Sequence, residues 1–265
     1  MLLQAEIEMI NRLYTEGQKL DVAGLNEITV LIDRSETELT EVGWNCWTPN
    51  QDGPPHKHND KSQIFYVTNG VGKIHLGKHV FDAKPGSLAY VPAGLVHQTI
   101  TTTDERLCYI LFNVFLNPQK EGHLTFADHI EKVKQIRKQQ ALSGKVEVDN
   151  EETNFEIRPE KFIEDINSYS KEENAGSPIM LVDETDNRLH LKLVTHSPGA
   201  VVNSDNLKNT EQTIFVLNGN ASITIENETE EIKPGNILFI PSNLEYQMKV
   251  SNDEMMYLCL SALTN

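Results

Sequence analysis

The chain has 265 residues, enough for one large or two ordinary domains, and its 38% hydrophobic and 23% charged residues fit a globular protein. A net charge of −16 repels nucleic acid and anionic membranes, and no apolar run is long enough to span a bilayer as a helix. Glu6 and Glu8 come early and no basic run precedes them, so a secretory signal is not expected and the chain reads as cytoplasmic. The three cysteines, Cys46, Cys108 and Cys259, are odd in number and widely spaced, which suits reduced thiols inside strands better than a disulfide framework.

Residues 1–26 read as an N-terminal helical arm. Ile7, Ile10, Leu13 and Tyr14 form an amphipathic stripe and Gly17 supplies a stop. Residues 27–116 change texture. Ile28–Ile32, Glu41–Trp47, Ile64–Thr68, Val71–Leu76, Ser87–Val91 and Leu107–Phe112 are short, rich in β-branched and aromatic residues, and separated by Gly, Pro, Asn and Asp. Asn69-Gly70 marks a hairpin turn. Such a series predicts an antiparallel sandwich or barrel.

Residues 117–177 read as a helical linker. Phe126–Gln140 carries Ile130, Val133 and Ile136 on one stripe, and its basic cluster, Lys132 to Lys138, reads as a solvated helix face. A charged connector covers 144–156, and Arg158–Ile166 reads as a short helix with Pro159 in its first turn. Strand texture returns over 178–265, as a repeat of the first barrel. An offset of 149 residues carries Gln63 onto Gln212, Val67 onto Val216, Asn69-Gly70 onto Asn218-Gly219, Lys84-Pro85-Gly86 onto Lys233-Pro234-Gly235 and Pro92 onto Pro241, with no insertion or deletion.

Chemistry-bearing residues concentrate in the first copy. His56 and His58 share strand parity, Gln63 follows after a short bend, and His97 comes from a separate strand. Three imidazoles and an amide oxygen can enclose one divalent ion and leave positions open. The competing reading is a set of polar interior residues that satisfy one another without metal.

Gly53, His56, His58, Gln63 and Gly70, followed by Gly86, Pro92, Gly94 and His97, resemble the two motifs of the cupin superfamily, with Thr101 where the second motif usually has Asn. The resemblance covers roughly 30–115 and, more weakly, 180–262. It implies an all-β bicupin with a few packing helices: two jelly-roll barrels (double-stranded β-helices), the first holding the metal. It also implies a divalent ion, Fe, Mn, Ni, Co or Zn, and a homodimer. Gln63 replaces the usual Glu, which leaves the site one charge more positive and removes a possible general base. In the second copy Asp205, Leu207 and Tyr246 stand at the histidine positions. That copy reads as a scaffold that lost its metal, the alternative being an unusual site from Asn203, Asp205, Gln212 and Tyr246.

Strand parity puts Phe65 inward, and Thr99 and Thr101 share parity with His97; Trp47 and Tyr109 are further cavity candidates. His75 and His79 read as surface residues; His123, His129, His190 and His196 match no ligand position and read as structural. The function expected is metal-dependent action on a small oxygen-rich molecule, dioxygenase-like or isomerase-like. The alternatives are a non-catalytic small-molecule or sugar sensor, and a purely structural, storage-type bicupin.

Overall fold

The computed structural model describes residues 8–120, 123–143, 157–170, 177–184, 189–204 and 207–264. In chain order the strands are β1 (Ile10–Leu13), β2 (Gln18–Val22), β3 (Asn26–Ile32), β4 (Thr40–Trp47), β5 (Lys61–Asn69), β6 (Gly72–Leu76), β7 (His79–Ala83), β8 (Leu88–Val91), β9 (His97–Thr101) and β10 (Leu107–Phe115). Helix α1 (Phe126–Ser143) and β11 (Lys161–Ile163) follow. The second half contains β12 (Ile179–Glu184), β13 (Leu189–His196), β14 (Val201–Asn203), β15 (Thr210–Asn218), β16 (Ala221–Ile225), β17 (Glu228–Ile232), β18 (Asn236–Ile240), β19 (Tyr246–Val250) and β20 (Met255–Leu263). The chain divides into two compact units, Gly17–Ser35 with Thr40–Ser168, and Met1–Glu16 with Glu36–Leu39 and Tyr169–Asn265.

The first unit has a seven-stranded sheet, β11-β8-β5-β10-β4-β3-β2, and a three-stranded sheet, β7-β6-β9. All its pairings are antiparallel. Their inward faces enclose Trp47, Phe65, Val67, Ile74, Leu76 and Tyr109, among others. Helix α1 packs Phe126 and Ile130 on Val22, Ile28 and Val30, strand residues that face it from β2 and β3. Ile28 lies opposite Asn45, and Val30 opposite Gly43, so this is the same sheet face that carries Asn45 and Trp47. The helix starts at a reciprocal cap: Thr125 Oγ1 accepts from Asp128 N–H and Asp128 Oδ2 accepts from Thr125 N–H, both at 3.1 Å. Asp33 Oδ2 takes the Phe126 N–H as well, at 2.9 Å.

The second unit has a six-stranded sheet, β1-β18-β15-β20-β13-β12, and a four-stranded sheet, β14-β19-β16-β17, around an aliphatic core that includes Leu207, Ile214, Ile223 and Met248. The repeat holds at the level of whole strands. At the offset of 149, β4, β5, β6, β7 and β9 begin and end on the residues that bound β13, β15, β16, β17 and β19. Gly70 and Gly219 both have positive φ, 73° and 78°. A Cβ there would run into the carbonyl oxygens of Arg106 and Glu254, so both turns require glycine.

Three sequence expectations are corrected. The N-terminal residues described are strands, not a helix: β1 pairs with β18, Tyr14 N–H bonds the Gly235 carbonyl at 2.8 Å and β2 pairs with β3. A stripe of so few residues is too short to stabilise a helix alone, whereas an open sheet edge offers a full ladder of partners. Ile7 lies outside the described residues. Likewise Lys161–Ile163 is a strand on the edge of β8, with Phe162 stacked on Phe81 at 4.6 Å, in place of the helix expected over Arg158–Ile166. Finally, Cys46 and Cys108 are joined as a disulfide, opposite each other on β4 and β10 with Cα atoms 4.1 Å apart, while Cys259 is buried and takes no part in it. Their separation of 62 residues hides a pairing that only strand register creates.

Among the described residues, no helix is long and apolar enough to cross a membrane.

Candidate metal centre

His56 and His97 face each other across an isolated antiparallel bridge, His56 N–H to His97 O at 3.0 Å and His97 N–H to His56 O at 2.8 Å. Their ring centroids are 4.3 Å apart; His58 lies 5.1 Å from His56 and 5.5 Å from His97. One ring nitrogen from each of the three lies within 4.8 Å of the others.

Local sequence builds this geometry. Gly53 N–H bonds the Thr99 carbonyl at 3.0 Å, and a Cβ on Gly53 would meet the Trp47 ring and that same carbonyl. Only glycine lets the chain lie this close to the indole. Pro54 and Pro55 then hold φ near −65° and lead straight into His56. Gly94 N–H pins the His58 carbonyl at 2.7 Å.

The imidazole tautomers are set by backbone. His56 Nδ1 lies 2.9 Å from the Pro54 carbonyl and His97 Nδ1 lies 3.0 Å from the Leu95 carbonyl. A carbonyl only accepts, so both rings carry the proton on Nδ1 and leave an Nε2 lone pair free. Burial lowers the His56 pKa to about 4, helped by the charges of Arg137 and Lys61 and opposed by the Pro54 hydrogen bond. Burial also holds His58 and His97 well below the usual imidazole range, with Lys61 and neighbouring imidazoles adding to the effect. Neutral rings with free lone pairs are metal-ligand chemistry.

Gln63 is the fourth candidate donor. It is 5% exposed, on β5 opposite Asn113. Gln63 Nε2 donates to Asn113 Oδ1 at 2.8 Å, Asn113 Nδ2 donates to Glu41 Oε1 at 2.6 Å, and Arg34 Nε donates to Glu41 Oε2 at 2.5 Å. This chain orients the amide. Gln63 Oε1 is buried and has no hydrogen-bond donor among the described residues. A buried carbonyl oxygen without a partner costs roughly 1–3 kcal/mol. The second copy is an internal control: there Gln212 Oε1 accepts from Tyr246 OH at 3.4 Å and its Nε2 donates to Ser261 Oγ at 3.3 Å. Tyr246 occupies the position of His97, so the copy that lacks the three clustered histidines satisfies its glutamine internally. The donor set of the first barrel, three neutral imidazoles and an unpartnered amide oxygen, fits a divalent ion.

Of the cavity candidates, four converge. Tyr109 OH accepts from Trp47 Nε1 and from Asn45 Nδ2, each at 2.9 Å, and lies 3.3 Å from Thr99 Oγ1. Phe65 stacks on Tyr109 at 4.6 Å and lies 5.9 Å from His97. Burial raises the Tyr109 pKa, so the phenol is neutral. Thr101 serves elsewhere: its hydroxyl bonds the Thr48 and Gln51 carbonyls and accepts the Gln51 N–H, holding the loop before Gly53.

Two further residues lie beside the site. His129, read from sequence as structural, places its ring 6.4 Å from His58. Arg137, read as part of a solvated face, turns inward: Nη1 donates to Asn26 Oδ1 at 3.1 Å and the guanidinium lies 5.8 Å from the Trp47 ring centroid. The signal was present. Phe126, Ile130, Val133 and Arg137 follow helical spacing, so Arg137 sits on the apolar stripe.

Among the described residues, no comparable group forms in the second barrel. Leu207 is in its aliphatic core, Asn203 Oδ1 accepts from Gln247 Nε2 at 3.0 Å, and Asp205 lies outside the described residues. Among the described residues, His56, His58 and His97 form the one cluster of His, Cys, Asp or Glu with metal-ligand spacing.

No curated protein matches this sequence. Solved structures do match in fold. Protein Ylba from E. coli superposes with a TM-score of 0.66 at 11% identity, covering 98% of this chain and 93% of its own. A Bacillus subtilis oxalate decarboxylase variant gives 0.61 at 14%, covering 96% and 77%. AerE from Microcystis aeruginosa gives 0.56 at 14%, covering 93% and 96%. The family model described as cupin domain matches twice, over residues 44–113 and 192–261, one match in each barrel. The chain therefore belongs to the cupin family, as a two-domain member with its histidine cluster in the first domain.

Proposed function

We propose that the first barrel is a mononuclear divalent-metal centre, held by His56, His58, His97 and Gln63, that acts on a small oxygen-rich molecule such as a 2-keto acid, hydroxyketone, enediol or uronate. The observation that carries this reading is the buried Gln63 Oε1, without a donor in a barrel that also gathers three imidazoles whose nitrogens lie within 4.8 Å of one another. When bound, the ion would supply Lewis acidity towards adjacent substrate oxygens and, if redox-active, dioxygenase-like chemistry in place of isomerase-like chemistry.

The protein's own contribution is positional and electrostatic. The Pro54 and Leu95 carbonyls fix two imidazoles. The Glu41–Asn113 chain fixes the amide. A neutral amide in place of a carboxylate keeps the centre more positive, which favours an anionic ligand. Phe65 and Tyr109 present a dry aromatic wall, and the Tyr109 phenol and Thr99 hydroxyl offer neutral hydrogen-bonding groups beside it. A homodimer, as the family resemblance implies, is part of the proposal.

Elemental analysis of protein purified without added metal tests the centre. About one equivalent is expected in the wild type and none in the His56→Ala/His97→Ala double variant; a full equivalent in the double variant would refute it. A second reading, a non-catalytic binder, draws on Glu41: the buried interior carboxylate is engaged by Arg34 and Asn113 and so is not free to move a proton. Ligand-induced stabilisation without turnover across a panel of such substrates would favour it.

A further inference from the structure

Arg137 brings a positive charge beside Trp47 of the first barrel, with no ion-pair partner among the described residues. Its Nη1 donates to Asn26 Oδ1 at 3.1 Å and, at 3.4 Å, to the Val22 carbonyl, and one face of the guanidinium lies over Trp47. Those contacts use one nitrogen. Nε and Nη2 have no acceptor among the described residues, and no carboxylate there forms an ion pair with the side chain. The group is half-buried, and burial lowers its pKa to about 10, which leaves it charged at neutral pH. A chain with 39 acidic residues would have little difficulty supplying a partner if the charge were only structural.

The guanidinium lines an open cleft of about 290 Å³ with Asp52, Gly53, Pro54, Pro55 and Gln98. Pro55 precedes His56 and Gln98 follows His97, so the cleft walls are the chain segments that carry two of the imidazoles. Asp52 is exposed and makes no ion pair with Arg137. Packed side chains link the cleft to the centre: Trp47 bonds Tyr109, Tyr109 stacks on Phe65 and Phe65 abuts His97, and the Arg137 charge acts on His56.

We propose that Arg137 anchors a carboxylate of the molecule bound at this centre. The ligand is then a two-ended acid, with adjacent oxygens for the ion and a distal carboxylate for the guanidinium fork. This rests on the metal-centre reading and narrows its substrate class. A guanidinium offers two parallel N–H donors to a carboxylate, a geometry that lysine cannot reproduce.

The test loads wild type, Arg137→Gln and Arg137→Lys protein with cobalt(II). Each is titrated calorimetrically with 2-oxo diacids of three lengths (oxaloacetate, 2-oxoglutarate, 2-oxoadipate) and with 2-oxo monoacids of matched length. The cobalt visible spectrum follows the chelating end separately, and cobalt stoichiometry reports that each variant is folded. At one length the diacid is expected to bind wild type about 10- to 100-fold more tightly than its monoacid. Arg137→Gln abolishes that preference while the spectral response persists, and Arg137→Lys keeps part of it. A diacid preference absent at every length, or undiminished in Arg137→Gln, overturns the assignment with the metal reading intact. Failure of the wild type to take up cobalt overturns both, and the stoichiometry distinguishes that case.

Discussion

Replacing Gln63 with glutamate, the residue usual at this position, tests why the chain departs from the family pattern. Hydrogen-bond polarity converges on Glu41, which accepts from Arg34 on one side and from Asn113 on the other, while Gln63 in turn donates to Asn113. Glu41 Oε1 accepts from Asn113 Nδ2, which turns Asn113 Oδ1 towards residue 63 and demands a donor there. A carboxylate at 63 cannot donate. Asn113 Oδ1, in a side chain 2% exposed, would lose its partner and face a second acceptor. Losing one buried hydrogen bond and leaving its acceptor unpaired costs about 1–3 kcal/mol. In the metal-free protein Gln63→Glu is therefore expected to lower unfolding free energy by about 2 kcal/mol at pH 8, measured by urea denaturation in EDTA. A protonated carboxyl can donate, so the new group's folded-state pKa is raised. Stability is then fully present below the unfolded carboxyl value near 4.3 and lost as pH rises through the folded value. The gap to wild type should accordingly shrink as pH is lowered. Added divalent metal should also narrow it, because the ion stabilises the carboxylate form. A variant as stable as wild type at pH 8 in EDTA, with no pH dependence in the difference, would refute the donor argument.

Glu41→Gln leaves Arg34, with a side chain 1% exposed, without its counter-ion, and should cost about 3–5 kcal/mol by chemical denaturation; a loss under 1 kcal/mol would show the pair to be dispensable. Gly53→Ala drives a methyl group into the Trp47 ring and the Thr99 carbonyl, so about 1–3 kcal/mol of stability and part of the metal stoichiometry should be lost together. If stoichiometry stays full while stability falls, the glycine serves the barrel and not the His56 segment. Tyr66 has its pKa raised to about 12 by burial, with Asp165 adding to the shift. Its stabilising effect is fully present below the unfolded value near 10 and is lost as pH rises from 10 to 12. Tyr66→Phe should therefore flatten the alkaline stability profile by about 2 kcal/mol relative to wild type. Parallel profiles would contradict that.

Much of the barrel architecture was legible because it is written in turns. Gly70, Gly86 and their copies Gly219 and Gly235 all have positive φ, and such requirements do not depend on distant partners. The histidine spacing was legible for a related reason: a shared face follows from strand parity alone. What escaped depends on partners remote in sequence. The stripe from Ile10 to Tyr14 has the same spacing whether it coils or joins β18, and only the open edge of β18 decides between them. Phe162 reads as a helix residue until Phe81 is known to lie beneath it. Arg137 was read by its charge, although its position on the α1 stripe pointed inward.

The two barrels together separate what the fold needs from what the site needs. Both keep a glutamine at the start of the inner strand, so glutamine alone is no mark of a metal centre. The difference lies in its oxygen. In the second barrel Tyr246 fills the His97 position and supplies Gln212 Oε1 with a donor, which makes the copy self-sufficient. In the first barrel the corresponding position is an imidazole whose Nδ1 proton is committed to the Leu95 carbonyl, so it has no proton to offer Gln63. A His97→Tyr substitution alone would recreate the self-satisfied arrangement. The first barrel thus carries the cost of a buried oxygen without a donor at a position where its own repeat shows a simple remedy. Retention of that cost is intelligible if a bound cation offsets it, and the imidazoles gathered in the same barrel present the lone pairs such a cation requires.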